Sequence, residues 1–139
     1  MALGLTTMGY RREWILTVLA VLGAFILGGV GGSAAATTLG IWSLPAAGFG
    51  AAFSVVVCAY WAAPLYKLQL SAVVLLIGAK VAWGFLGDGS YYPENYRNNL
   101  GYEPTFLPLW ATYAGGLIAI AAVVFTELRK RRAHELRPN

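Results

Sequence analysis

A chain of 139 residues that is 58% hydrophobic and only 12% charged carries about half the ~25% charge usual in a soluble domain. A core of this size cannot hide so much apolar surface, which excludes a soluble globular fold and leaves one membrane domain. The formal net charge of +4 lies beside apolar runs and not on a polar face, which points to membrane topology and away from nucleic acid.

Residues 1–13 are expected to form a short polar lead-in that ends in Arg11, Arg12 and Glu13. Four apolar runs follow, at about 14–32, 41–62, 68–87 and 105–126. Each is close to the ~20 residues that a helix needs to cross ~30 Å of hydrocarbon. Arg11 and Arg12 ahead of the first run, with Ala34, Ala35 and Ala36 behind it, have the outline of a signal peptide. The run is longer than the ~7–15 residues of a signal core, so it is read as the first transmembrane helix. Its Gly28 and Gly32 share one helical face at GxxxG spacing. That spacing serves close packing inside the protomer or, on a sharper reading, self-association.

Residues 33–40 are expected to be a short uncharged loop. The second run has Pro45 in its first turn, where a missing N–H costs little. It repeats small residues at Ala46, Gly50 and Ser54 and ends at Ala62, Ala63 and Pro64. Only Leu65, Tyr66 and Lys67 separate it from the third run, so the two helices form a tight hairpin. The third run ends at Gly87, and residues 88–104 form a polar loop. The fourth run has Pro108 in its first turn, Ala111, Gly115, Gly116 and Ala119 as small residues, and a basic tail over residues 128–139. Strands are excluded, because an open sheet edge in lipid leaves backbone groups without partners. The expected fold class is an all-α membrane protein: four transmembrane helices in an antiparallel bundle.

Charge assigns the two sides. Arg11, Arg12, Lys67, Arg129, Lys130, Arg131, Arg132 and Arg137 fall at one set of helix ends, and Arg97 alone falls at the other. The positive-inside rule makes the first side cytoplasmic, with both termini there. The expected address is a bacterial or archaeal inner or plasma membrane. Arg11, Arg12, Arg129, Lys130, Arg131 and Arg132 are expected to meet phospholipid headgroups, where each basic residue adds ~1 kcal/mol of attraction to an anionic surface. Glu127 can pair with Arg131 one helical turn away. Trp14, Trp42, Trp61, Trp83 and Trp110 all lie within a few residues of a run's end, the headgroup level that indole prefers.

Few residues carry chemistry. Lys80 is the only charged side chain well inside a run, at a cost of at least ~2.5–3.5 kcal/mol near mid-membrane. It either snorkels along its helix to the headgroups or takes part in an ion pair, a lipid contact or a substrate site. No carboxylate lies within the runs to neutralise it. The 88–104 loop is rich in tyrosine and amide groups, and Tyr91, Tyr92, Glu94, Tyr96, Arg97 and Tyr102 form either an interfacial cap or a surface for docking a partner. Its acids do not have the spacing of a metal loop. Cys58 is the single cysteine and His134 the single histidine. Neither a disulfide nor a histidine-ligated cofactor in the spans is expected. The chain has no Walker loop, GxSxG, HExxH or CxxC motif, so no cofactor and no catalysis are expected.

Two roles follow from the residues. In the first, the chain is a non-catalytic subunit that packs through Gly28, Gly32, Gly50, Gly115 and Gly116 within a larger membrane complex. Its partners are other membrane subunits or copies of itself, together with phospholipid. In the second, it is a small homo-oligomeric transporter or channel for an ion or anionic substrate. Lys80 then lines the pathway with Ser54, Cys58, Tyr60, Ser71 or Thr112.

Overall fold

The computed structural model describes residues 3–89, 91 and 105–135, with the side chains of 11–89, 91 and 105–133. Its four helices are α1 (Leu3–Thr38), α2 (Ser43–Ala62), α3 (Lys67–Leu86) and α4 (Leu107–Glu135). All four are long and apolar enough to cross a membrane.

Two of them are longer than the apolar runs. α1 has 36 residues, about 54 Å of helix, and takes in most of the polar lead-in. It also continues through the expected loop at 33–40 as far as Thr38. Two local features explain the extension. Ala34, Ala35 and Ala36 are the strongest helix formers available. Gly40 then adopts φ +68, and Gly40 N–H bonds Thr37 O while Ile41 N–H bonds Ala36 O at 3.0 Å. That pair of bonds is a Schellman stop, which needs a residue tolerant of the left-handed region at the glycine position. α4 has 29 residues and carries Arg129, Lys130, Arg131 and Arg132 on continuous helical turns, not in a separate tail.

The remaining ends follow ordinary capping chemistry. Pro45 is buried in the first turn of α2. Pro64 follows the end of α2, and residues 63–66 turn the chain into α3. Tyr66 takes φ 52 there, a left-handed conformation unusual for a bulky residue. At the start of α4 the Thr105 hydroxyl accepts a hydrogen bond from Leu107 N–H at 3.2 Å.

α2 is the central helix, packed against α1, α4 and α3, while α3 also touches α4. The α1–α2 seam is the closest. Added Cβ atoms at Gly28 and Gly32 would collide with the backbone of Gly50 and Ala46, and one at Gly50 with the backbone of Gly28. On the other side of α2, a Cβ at Gly115 would meet the backbone of Phe49. Fully buried side chains gather along α2 and α4, among them Tyr60, Val56 and Leu109. α1 and α3 pack along one face and leave the rest of their surface uncovered, with only 6% and 11% of their most apolar stretches buried.

Candidate functional site

Three regions draw the polar and shaped features of the chain together: the basic end of the bundle, the groove between α1 and α3, and the outer surface of α3.

At the basic end, Tyr60 closes α2. Its ring is buried at 1% exposure, and its hydroxyl donates to Glu127 Oε2 on α4 at 2.7 Å. Lys130, one turn further along α4, donates from Nζ to the same hydroxyl at 2.9 Å. The lysine also lies over the Tyr60 and Trp61 rings, 5.0 and 5.2 Å from their centroids. Glu127 faces Arg131 Nε at 3.9 Å, the helical pairing that the spacing predicts. Tyr60 is thus both donor and acceptor between a carboxylate and an ammonium. It ties the last turn of α2 to the last span turns of α4. Arg129 lies over Phe125, 4.4 Å from the ring centroid, so its charge is carried outward along an aromatic side chain. Arg11, Arg12, Arg131 and Arg132 are exposed. Nothing in the sequence ties Tyr60 to Glu127, because the two stand 67 positions apart. The available hint is that a tyrosine beside an interfacial tryptophan and a carboxylate at a span end share one side.

Further small hydroxyl groups stitch the helices together. Thr17, at 3% exposure, reaches the terminal carbonyl of α2, Ala62 O, at 2.8 Å and also lies 2.9 Å from Glu13 O. That carbonyl belongs to the last turn of α2 and has no partner within the helix. Ser71 on α3 is within 3.2 Å of Val56 O on α2 and 3.1 Å of Lys67 O. Tyr113 on α4 donates to Ala79 O on α3 at 3.3 Å. Thr112 turns back to Pro108 O at 2.7 Å, and Thr126 to Ala122 O at 2.8 Å.

Among the described residues the groove is a half-open cavity of about 610 Å³. α2 forms its floor, α1 and α3 its walls, and Thr112 and Tyr113 of α4 its edge. Small residues open it: Gly29, Ala47, Ala51, Gly78, Ala79 and Ala82 all line it. Its two hydroxyl groups, on Thr112 and Tyr113, already donate to backbone carbonyls.

Lys80 is exposed on α3. It stands two positions from Gly78, about 200° around the helix, and so points away from the groove. Among the described residues it has no ion pair. Near the far end of α3, Tyr91 turns back and donates from its hydroxyl to Phe85 O at 2.6 Å. A single antiparallel bridge joins Tyr91 to Thr105. The other expected docking residues, Tyr92, Glu94, Tyr96, Arg97 and Tyr102, lie outside the described residues, as does Arg137. The five expected packing glycines are all at helix contacts: Gly28 and Gly32 on α2, Gly50 on α1, Gly115 on Phe49, and Gly116 on the Leu75 side chain. The GxxxG face of α1 is therefore filled by α2. Cys58 is half-buried. Among the described residues no three of histidine, cysteine, aspartate and glutamate converge.

No protein-family model, no curated protein and no solved structure matches the chain.

Proposed function

We propose that the chain is a non-catalytic subunit that packs within a larger membrane-protein complex. Its four helices run antiparallel across a plasma membrane, with both termini in the cytoplasm. One observation carries this reading: five hydroxyl side chains of the helices are engaged with backbone. Thr17, Ser71, Thr112, Tyr113 and Thr126 each bond a main-chain carbonyl. Those hydroxyls hold the helices and their own turns and are not presented to a ligand. The paired contacts Thr17–Ala62, Gly28–Gly50 and Gly32–Ala46 support the opposed direction of α1 and α2. The exposed basic side chains at one end support the orientation. The faces of α1 and α3 turned away from α2 are the surfaces offered to other subunits.

The test is purification of the tagged chain from its own membrane in mild detergent, with the co-purifying proteins quantified. The expected result is at least one foreign membrane protein in a fixed molar ratio that survives a second purification. The reading fails if the chain elutes as a clean homo-oligomer that drives anion flux in liposomes, with the flux abolished by Lys80→Met.

A further inference from the structure

Lys80 sets one face of α3 apart from an ordinary lipid surface. Gln69, Val73, Leu76, Ile77, Trp83 and Gly84 all lie within about 60° of it around the helix, and each is exposed. The opposite face, with Ser71 and Ala82, is buried, and the Ser71 hydroxyl bonds Val56 O of α2. The Lys80 face is therefore turned outward from the bundle, away from the residues of α3 that line the groove. Gln69 and Lys80 stand close to three full helical turns apart, so two polar side chains share this exposed stripe.

Depth sets what can neutralise the charge. α3 begins at Lys67, at the basic end of the bundle, and finishes at Leu86. Lys80 stands about 9 Å of helix rise short of Leu86. Helical side chains lean toward their own N-terminus, which for Lys80 is toward Leu76 and Ile77, midway along α3. Reaching headgroups at the near end would turn the stem against that lean. A phospholipid phosphate stays at headgroup level, whereas a side chain on a neighbouring span can stand at any depth. An ammonium among hydrocarbon is costly to leave alone, and a carboxylate is the partner that bonds it most strongly there.

This chain does not supply that carboxylate. None lies within its four apolar runs, and among the described residues Lys80 has no ion pair. Glu127 is engaged with Tyr60 at the basic end. A second copy brings no carboxylate to this depth either, and a symmetric contact would set Lys80 against Lys80. Charge complementarity therefore selects a helix of another protein, with an aspartate or glutamate inside its apolar stretch. Gly84, one turn beyond Lys80, has no side chain to hold such a helix away.

We propose that this face of α3 docks a transmembrane helix of a different protein, and that a carboxylate of that helix forms an ion pair with Lys80 inside the membrane. This contact rests on the subunit reading and gives it a surface and a partner chemistry.

The complex extracted from its native membrane in mild detergent is treated with dicyclohexylcarbodiimide, which enters apolar regions and joins an amine to a carboxylate in contact with it. The links are mapped by mass spectrometry and the co-purifying chain is quantified. The expected result is an amide from Lys80 Nζ to an aspartate or glutamate in a transmembrane segment of the foreign chain. Lys80→Met should lower the amount of that chain retained several-fold. Lys80→Arg keeps the charge and should retain the chain, with no link at this position. A foreign chain in fixed ratio that carries no link to Lys80, or that Lys80→Met retains in full, would overturn the docking face and leave the subunit reading standing. A link from Lys80 to a carboxylate of this chain or of a lipid headgroup would overturn it too. Absence of any foreign chain would overturn both.

Discussion

At the residue scale, the best-defined polar feature is the Tyr60 hydroxyl between Glu127 and Lys130. A buried hydroxyl bonded to a carboxylate stabilises by about 1 kcal/mol or somewhat more. Tyr60→Phe keeps the packed ring but leaves Glu127 and Lys130 without their bridge. It should lower thermal stability in detergent by about 1–2 kcal/mol, measured as a fall in midpoint temperature. Glu127→Gln keeps an acceptor for the tyrosine and should cost less than Tyr60→Phe. Equal stability of Tyr60→Phe and wild type would show that the bridge holds nothing together. This cluster is not legible from the residues in order. Tyr60 reads as one more interfacial aromatic beside Trp61, and Glu127 reads as the partner of Arg131 alone. The Glu127–Arg131 pair is legible, because helical spacing places it. The Tyr60 contact depends on how α2 and α4 meet, which depends on Gly115 packing against Phe49. Lys80 shows the reverse case. Its exception to the apolar pattern is plain from the sequence, and the structure adds the direction in which it points.

At the element scale, two classes of glycine make opposite predictions. Gly50→Ala forces the new methyl into the backbone of Gly28 and should destabilise the α1–α2 seam by about 1–3 kcal/mol through overpacking. Gly31→Ala meets nothing within 4 Å. It should be neutral or stabilising by up to ~1 kcal/mol, since alanine is the better helix former. Denaturation in mixed micelles with an α1–α2 distance probe would read both, and a Gly50→Ala protein as stable as Gly31→Ala would contradict the seam. Helix existence is legible from run length and hydropathy, which lipid solvent imposes directly. Helix ends are less so. Apolar content stops near Gly32, yet the hydrogen-bonded helix continues to the stop at Gly40, because Ala34–Ala36 need no lipid to stay helical. The same holds for α4, whose arginines leave the apolar run without leaving the helix. Which small residues pack and which leave space is also hidden in the sequence: Gly50 and Gly78 look alike until their neighbours are placed.

At the scale of the whole molecule, α2 is the hub, α1 and α4 grip it, and α3 stands against it with the groove alongside. Among the described residues the basic side chains other than Lys80 collect at one end of this arrangement. In a Cys58→Ser background, Asp88→Cys should react with a membrane-impermeant maleimide in intact cells. Ala133→Cys should react only after the membrane is opened. The reverse pattern would turn the orientation over. The uncovered flanks of α1 and α3 are the surfaces that we propose meet other subunits as well as lipid. The most direct measurement is the mass of the particle extracted from its native membrane into polymer-bounded nanodiscs, resolved by native mass spectrometry. The expected particle contains this chain and at least one foreign membrane protein in fixed stoichiometry. A series of particles whose protein masses are whole multiples of this chain alone would contradict it.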